Sequence, residues 1–119
     1  MSALHVLAVS LAGGLGAVAR YGAEEALVRP YPRARDVATA LVNITGCLVV
    51  GLLASHDYSW LGGRLDLVTT GFLGGYTTFS GAIALPYLHW RAGERTRSVV
   101  VVLGTATGCA LAFAVGLAM

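Results

Sequence analysis

Charged residues are scarce in this sequence: they make up 12% of its 119 residues, whereas soluble domains carry roughly a quarter. Lysine is absent, so the formal net charge of +2 comes from arginine set against six acidic residues. Every charged side chain falls in or beside a predicted loop, which argues against nucleic-acid binding. So little charge also argues against a chain that folds in water.

Cysteine is scarce as well. The two cysteines, Cys47 and Cys109, both lie inside long apolar runs, where the side chain usually serves as a small apolar residue. Two residues are too few for a disulfide framework, and we expect no cysteine metal site.

Hydrophobic residues are abundant, at 56% of the chain. Four runs contain no Asp, Glu, Lys or Arg: 3–19, 37–55, 67–88 and 98–119. Each is close to the roughly 20 residues that a helix needs to cross a hydrocarbon layer of about 30 Å. Strands of a membrane barrel would be about half as long and would alternate in polarity. The runs therefore predict transmembrane helices.

We predict an all-α membrane protein with one domain, 1–119. Its four transmembrane helices are expected at about 3–27, 37–55, 63–90 and 96–118. The first basic residue is Arg20, so the first run lacks the basic segment that opens a signal peptide, and we expect it to remain as a span. His56 and His89 lie at span ends, where solvated loop histidines are the simplest interpretation.

Arginine is distributed unevenly between the loops. The first and third predicted loops share one side of the bilayer and contain most of the arginines, whereas the second contains only Arg64. The positive-inside rule then places the first and third loops in the cytoplasm and both termini outside. The arginines of the first and third loops are Arg29, Arg33, Arg35, Arg91, Arg95 and Arg97.

Glycine is frequent inside the predicted spans, where its low helix propensity would count against it in water. Gly71 with Gly75 and Gly104 with Gly108 form pairs of small residues four apart. Such pairs let helix backbones approach closely in a membrane, so we expect helix packing at both.

Polar residues within a span are costly unless they pack against partners or line a path for water or ions. Arg20 follows the first apolar run, and it could either reach the headgroups or act structurally inside the protein. Thr39 and Asn43 are four residues apart in the second span, so they share one helix face. The Asn43 amide could join two helices or donate hydrogen bonds to a dehydrated anion.

The segment 74–80, Gly-Gly-Tyr-Thr-Thr-Phe-Ser, lies at the centre of the third span. Adjacent glycines followed by β-branched residues favour a weak helix, and we predict a break there rather than an intact, closely packed helix. A broken helix places free carbonyl and amide groups near the middle of the bilayer, where they can bind ions.

Three stretches, 13–21, 41–47 and 71–80, resemble the signature stretches of the Fluc (CrcB-type) fluoride channels. The resemblance implies an antiparallel, dual-topology-type dimer in a bacterial plasma membrane, with two pores that export fluoride passively and so reduce its toxicity. It also implies a structural sodium ion held by the carbonyl groups of Gly74 and Thr77, and a fluoride path lined by Asn43 and Phe79.

Fluoride conduction requires several donors, since moving a bare ion into a low dielectric costs on the order of 20 kcal/mol. One hydrogen bond contributes only about 1 kcal/mol net. The electropositive rim of the Phe79 ring can add to the donors. The candidate donors are Asn43, Thr39, Thr77, Thr78 and Ser80.

Two positions depart from the family pattern: Ala82 replaces a second phenylalanine, and Leu85 replaces a common carboxylate. Together with the arginine bias, these departures suggest that the chain pairs with a homologous subunit inserted the opposite way, as a heterodimer.

Three other functions are open at this point. A non-conducting partner subunit would fit the incomplete aromatic pair. A small four-helix multidrug exporter would match the size, but it needs a carboxylate within the membrane, and Glu24 and Glu25 lie at a span end. An enzyme is disfavoured because the sequence offers no nucleophile–base pair or metal-ligand cluster.

Overall fold

The computed structural model describes residues 2–119, and the regular structure within that range is entirely helical. The longer helices are α1 (Ala3–Val28), α2 (Arg35–Ser55), α5 (Phe79–Arg91) and α6 (Arg95–Ala118). Two short helices, α3 (Arg64–Asp66) and α4 (Gly74–Tyr76), are joined by a π-helical segment, Leu67–Leu73. A single turn of 3-10 helix, Pro32–Ala34, lies between α1 and α2, and another, Ser59–Leu61, lies between α2 and α3.

Three helical segments are long and apolar enough to cross a membrane: Ala3–Val28, Pro32–Ser55 and Arg95–Ala118. The third predicted span is different, because it is divided at Thr77 and Thr78. We call residues 64–76 the first half-span and α5 the second half-span. The all-helical fold and the break in the third span are therefore confirmed.

The helices pack in two pairs. Helix α1 lies along the first half-span, and α2 lies along α6. Helices α2 and α6 run parallel, since Asp36 contacts Arg97 at their beginnings and Gly51 meets Gly116 near their ends. The second half-span packs against α6 and α2, so the break lies where the two pairs meet.

Glycines allow α1 to approach the first half-span at backbone distance. A methyl group on Gly75 would overlap the main chain of Gly13, and one on Gly71 would lie 2.7 Å from the side chain of Ala12. The predicted packing role of Gly71 and Gly75 is confirmed. Close approach of two backbones replaces the large apolar side chains that fill the core of a soluble protein.

The predicted pair in the last span is only partly confirmed. Gly108 faces the side chain of Ile44, but nothing lies within 4 Å of a methyl group placed on Gly104. The backbones of α6 and α2 instead approach closely at Gly116, opposite Gly51. Spacing alone could not show which face of α6 is covered.

The interior is small and polar, and the surface is apolar. Among the described residues, the buried hydrophobic side chains are Val28, Ala38, Val42 and Leu73. Most large apolar side chains are exposed, as expected where lipid or another subunit replaces water. The buried polar residues are Glu24, Asp36, Thr39, Asn43, Ser98 and Thr105.

Asp36 joins three elements at the end of the bundle formed by the first and third loops. Its Oδ2 atom lies 3.0 Å from Arg97 Nε and 3.3 Å from His89 Nε2, and its side chain is 4% exposed. His89 Nδ1 also lies 3.1 Å from Glu94 Oε2. The expectation that His89 is a solvated loop residue is therefore wrong, because the fold brings it against a buried carboxylate from α2.

Gly16→Ala tests the close packing of α1. The added methyl group would lie 2.9 Å from the carbonyl carbon of Phe72, so we expect a loss of about 1–3 kcal/mol of stability from overpacking. Gly14→Ala is the matched control, because nothing lies within 4 Å of its methyl position, and better helix propensity makes it neutral or slightly stabilising. Thermal unfolding of both variants in detergent measures the difference; equal midpoints would contradict this packing.

Candidate ion site at the helix break

The break consists of two threonines in extended conformation. Helix α4 ends at Tyr76, Thr77 has ψ 156°, Thr78 has ψ 115°, and α5 begins at Phe79. β-Branched side chains are restricted in a helix and accommodated in extended backbone, so these residues suit the interruption.

Thr78 caps the second half-span. Its Oγ1 atom accepts a hydrogen bond from the amide of Gly81 at 3.0 Å, the usual arrangement for a threonine that precedes a helix. The hydroxyl groups of Thr78 and Ser80 lie 3.2 Å apart. Since one hydroxyl donates to the other, the second proton of the pair is available to another acceptor.

Asn43 on α2 holds the break through both ends of its amide. Its Nδ2 atom donates to the carbonyl oxygen of Thr78 at 3.0 Å, and its Oδ1 atom accepts from the Thr78 amide at 2.7 Å. The residue is buried, with 6% of its surface exposed. Asn43 therefore joins α2 to the third span, and the remaining N–H of its amide can still serve a further acceptor.

The Asn43 contact and the Thr78 cap together change the partners of nearby carbonyl groups. In a continuous helix, the Thr78 amide would bond to Gly74 and the Gly81 amide would bond to Thr77. Here the Thr78 amide donates to Asn43, and the Gly81 amide donates to the Thr78 side chain. The carbonyl groups of Gly74 and Thr77 thus lose the donors that a helix would supply, which suits them to bind a hard cation.

A groove of about 630 Å³ opens beside the break. It is lined by Asn43, Gly74, Thr77 and Phe79, together with residues of α2 and α6. The Phe79 side chain is 84% exposed at the start of the second half-span. Four of the residues predicted to bind sodium or fluoride therefore line one open groove.

Thr39 lies one turn from Asn43 but outside this groove. It borders a narrow gap between α2, α5 and α6 that leaves no room for a water molecule. Its hydroxyl donates to Glu24 Oε1 at 3.2 Å. The hydroxyl of Thr77 is also engaged, donating to the Leu73 carbonyl oxygen at 3.0 Å.

Arg20 points to the break from α1. Its Nε atom lies 3.4 Å from the carbonyl oxygen of Gly75, a long hydrogen bond from a charged donor. Of its two possible roles, the structure therefore favours a contact inside the protein over a position among the headgroups.

Sequence reasoning missed Glu24, which it assigned to a span end. The structure places this carboxylate inside the bundle, 8% exposed and bonded to Thr39. Its position four residues after Arg20 was the available signal, because residues at this spacing share a helix face. Within residues 2–119, no group of three or more His, Cys, Asp or Glu side chains could hold a metal ion.

Relatives identified by comparison with known proteins include the following three. A protein named fluoride-specific ion channel FluC 1 from Leifsonia xyli subsp. xyli is 44% identical over 87 residues, which cover 69% of this chain and 61% of that protein. FluC of Paracoccus denitrificans is 40% identical over 100 residues, covering 83% of this chain and 80% of that protein. FluC of Solibacter usitatus is 38% identical over 112 residues, covering 87% and 88%.

No solved structure matches this chain. The family model described as CrcB-like protein, Camphor Resistance (CrcB), matches residues 7–117, nearly the whole sequence. The broken third span and the Asn43 contact fall within that range. The chain belongs to the CrcB family of membrane proteins.

Proposed function

We propose that this chain is one subunit of a fluoride-specific ion channel that lets fluoride leave the cell passively and so lowers its cytoplasmic concentration. The observation that carries the proposal is the helix break. Gly74, Thr77, Asn43 and Phe79 line one groove there, and between them they carry carbonyl groups without helical donors, a spare amide hydrogen and an exposed aromatic ring. The relatives named above, each called a fluoride-specific ion channel, support the same function.

The anion path requires donors that can replace water around a small, strongly hydrated ion. Asn43 offers one N–H beyond its bond to Thr78, and the Thr78–Ser80 hydroxyl pair offers one proton. The Phe79 ring can turn its electropositive rim toward the same space. Several weak donors in series suit conduction, because an ion must bind well enough to enter and weakly enough to leave.

A structural sodium ion is proposed at the carbonyl groups of Gly74 and Thr77. These oxygens lose their helical donors, and both residues line the groove. Sodium prefers such hard ligands. One chain offers two carbonyl groups, so a second subunit would supply the others. A fixed cation would also lower the cost of bringing an anion close.

The second subunit is proposed to be a homologue inserted antiparallel, which closes the groove. Phe79, Ile83 and Phe113 line the groove and are exposed, forming an apolar margin that another subunit can cover. Ala82 lines the groove where the family usually has a second ring. We therefore propose a heterodimer whose partner contributes the missing aromatic residue.

Ala82 also favours a second candidate function, a partner subunit that supports the assembly without conducting. Variants of Asn43 and Phe79 in the assembled channel separate the two functions. Loss of fluoride flux assigns a conducting role to this chain, and unchanged flux assigns a silent one.

Fluoride efflux from liposomes tests the channel directly. We expect this chain, alone or with its homologous partner, to release fluoride well above the protein-free leak and to leave chloride trapped. Phe79→Ile should lower fluoride flux by about twofold to tenfold, because one aromatic contact contributes about 0.5–1.5 kcal/mol. Phe72→Ile is the matched control on the first half-span, since Phe72 stacks on Tyr76 outside the groove. Equal loss in both variants would indicate damage to the fold rather than to the path.

Sodium dependence of stability tests the cation site. We expect the melting temperature to rise with sodium concentration at constant ionic strength, because a ligand that binds only the folded state stabilises it. N-methylglucamine serves as the inert replacement cation. Asn43→Leu should remove the rise, since the Thr78 amide could then return to the Gly74 carbonyl. Identical melting curves in the two cations would refute the site.

Orientation can be measured with reporters fused to the C-terminus. We expect alkaline phosphatase fusions to be active and green fluorescent protein fusions to be dark, because the arginine-rich first and third loops favour the cytoplasm. Equal activity of both reporters would indicate insertion in either direction and would contradict a fixed orientation.

A further inference from the structure

Cys47 and Cys109 are two free cysteines to which the fluoride proposal gives no role. Cys47 lies in α2 and Cys109 lies in α6, and both line the groove beside the helix break. Each residue is partly exposed, and the two thiol groups interact with each other. The fold therefore brings together two sulfur atoms that are far apart in the sequence.

Close packing of α2 against α6 fixes the position of this pair. A methyl group placed on Gly108 would meet the side chain of Ile44, and one on Gly51 would overlap the main chain of Phe113. These two contacts lie on either side of the cysteines along the helices, so the backbones that carry the thiol groups are held at a fixed separation. Two donors held in this way are preorganised to share one ligand.

Two sulfur donors select a particular class of metal ion. Soft ions such as Cu(I) prefer thiolate to oxygen ligands. Zinc requires four ligands in a tetrahedron, and within residues 2–119 no third His, Cys, Asp or Glu side chain completes such a group. Two cysteines argued against a metal site when only their number was considered, but in contact they suffice for an ion that takes two ligands, such as Cu(I), Ag(I) or Hg(II).

The charge of the bound complex favours Hg(II) within this class. Hg(II) held by two thiolates is neutral, whereas Cu(I) or Ag(I) held by two thiolates carries one negative charge. A neutral complex avoids the cost of placing charge in a groove lined largely by apolar side chains. With mercuric chloride, two S–H bonds and two Hg–Cl bonds break, two Hg–S bonds form, and two protons and two chloride ions are released.

We propose that Cys47 and Cys109 together form a two-thiolate site for a soft, two-coordinate metal ion, and that an ion bound there blocks fluoride in the groove. Cys47 lies one turn after Asn43, so the two side chains share a face of α2. Phe79 lines the same groove. The bound ion therefore obstructs the proposed anion path. The block rests on the proposed channel function, whereas the metal site does not.

Metal binding is measured on the full chain in detergent, after reduction and removal of the reductant. One mercuric ion should bind per chain, detected by the ultraviolet absorption of mercury–thiolate bonds. The monothiol 2-mercaptoethanol should compete about a hundredfold better in Cys47→Ser or Cys109→Ser than in wild type, because the second sulfur acts at a high effective concentration. The variant that carries both substitutions measures binding elsewhere on the protein.

The stoichiometry and the ligands of the bound ion decide whether the thiols act together. Two mercuric ions per chain, or equal retention by wild type and the single-cysteine variants, would overturn the site. X-ray absorption at the mercury edge should show two sulfur neighbours for each ion. One sulfur and one chloride would also contradict a shared site.

Fluoride efflux from liposomes tests the block. Mercuric chloride followed by a monothiol wash should leave wild-type flux near the protein-free leak, whereas each single-cysteine variant should recover its own untreated flux. Methylmercury takes only one thiol, so it is the matched control ligand and should wash out of wild type. Normal flux in protein that retains the ion would overturn the block. Absence of flux before treatment would instead overturn the channel function, while the binding measurement still decides the metal site.

Discussion

The double hydrogen bond between Asn43 and the main chain of Thr78 is the interaction on which the site depends. Main-chain groups inside a membrane must be satisfied within the protein, so an interrupted helix at mid-depth needs a substitute partner. Asn43 supplies both a donor and an acceptor from a neighbouring helix. It replaces one helical bond with two side-chain bonds and leaves the carbonyl oxygen of Gly74 without its usual donor.

The rest of the bundle keeps that contact in register. Glycines bring α1 against the first half-span at backbone distance, and Gly46 on α2 leaves room for the side chain of Thr77 in the break. Thr78 then begins the second half-span with its own side chain. The interruption therefore results from residues on several helices, and no single residue of the third span accounts for it.

Much of this arrangement could be predicted from the sequence. The number of spans follows from apolar runs without charge, and the break follows from paired glycines beside paired threonines. Asn43 was recognisable as costly unless it had a partner, but the identity of its partner depends on how α2 lies against the third span. The same limit explains why the expectations for Gly104, His89 and Glu24 differ from the structure. Whether such residues are covered is decided by the neighbour that packs on them, which spacing along one helix does not encode.

The parallel packing of α2 and α6 has an electrostatic consequence. Each helix carries a partial positive charge at its N-terminus, and two parallel neighbours place these charges side by side, where they repel. Asp36 lies at this junction, and its carboxylate also meets Arg97 from the first turn of α6. A single buried anion close to both N-termini therefore offsets part of the repulsion between the two like-directed helices.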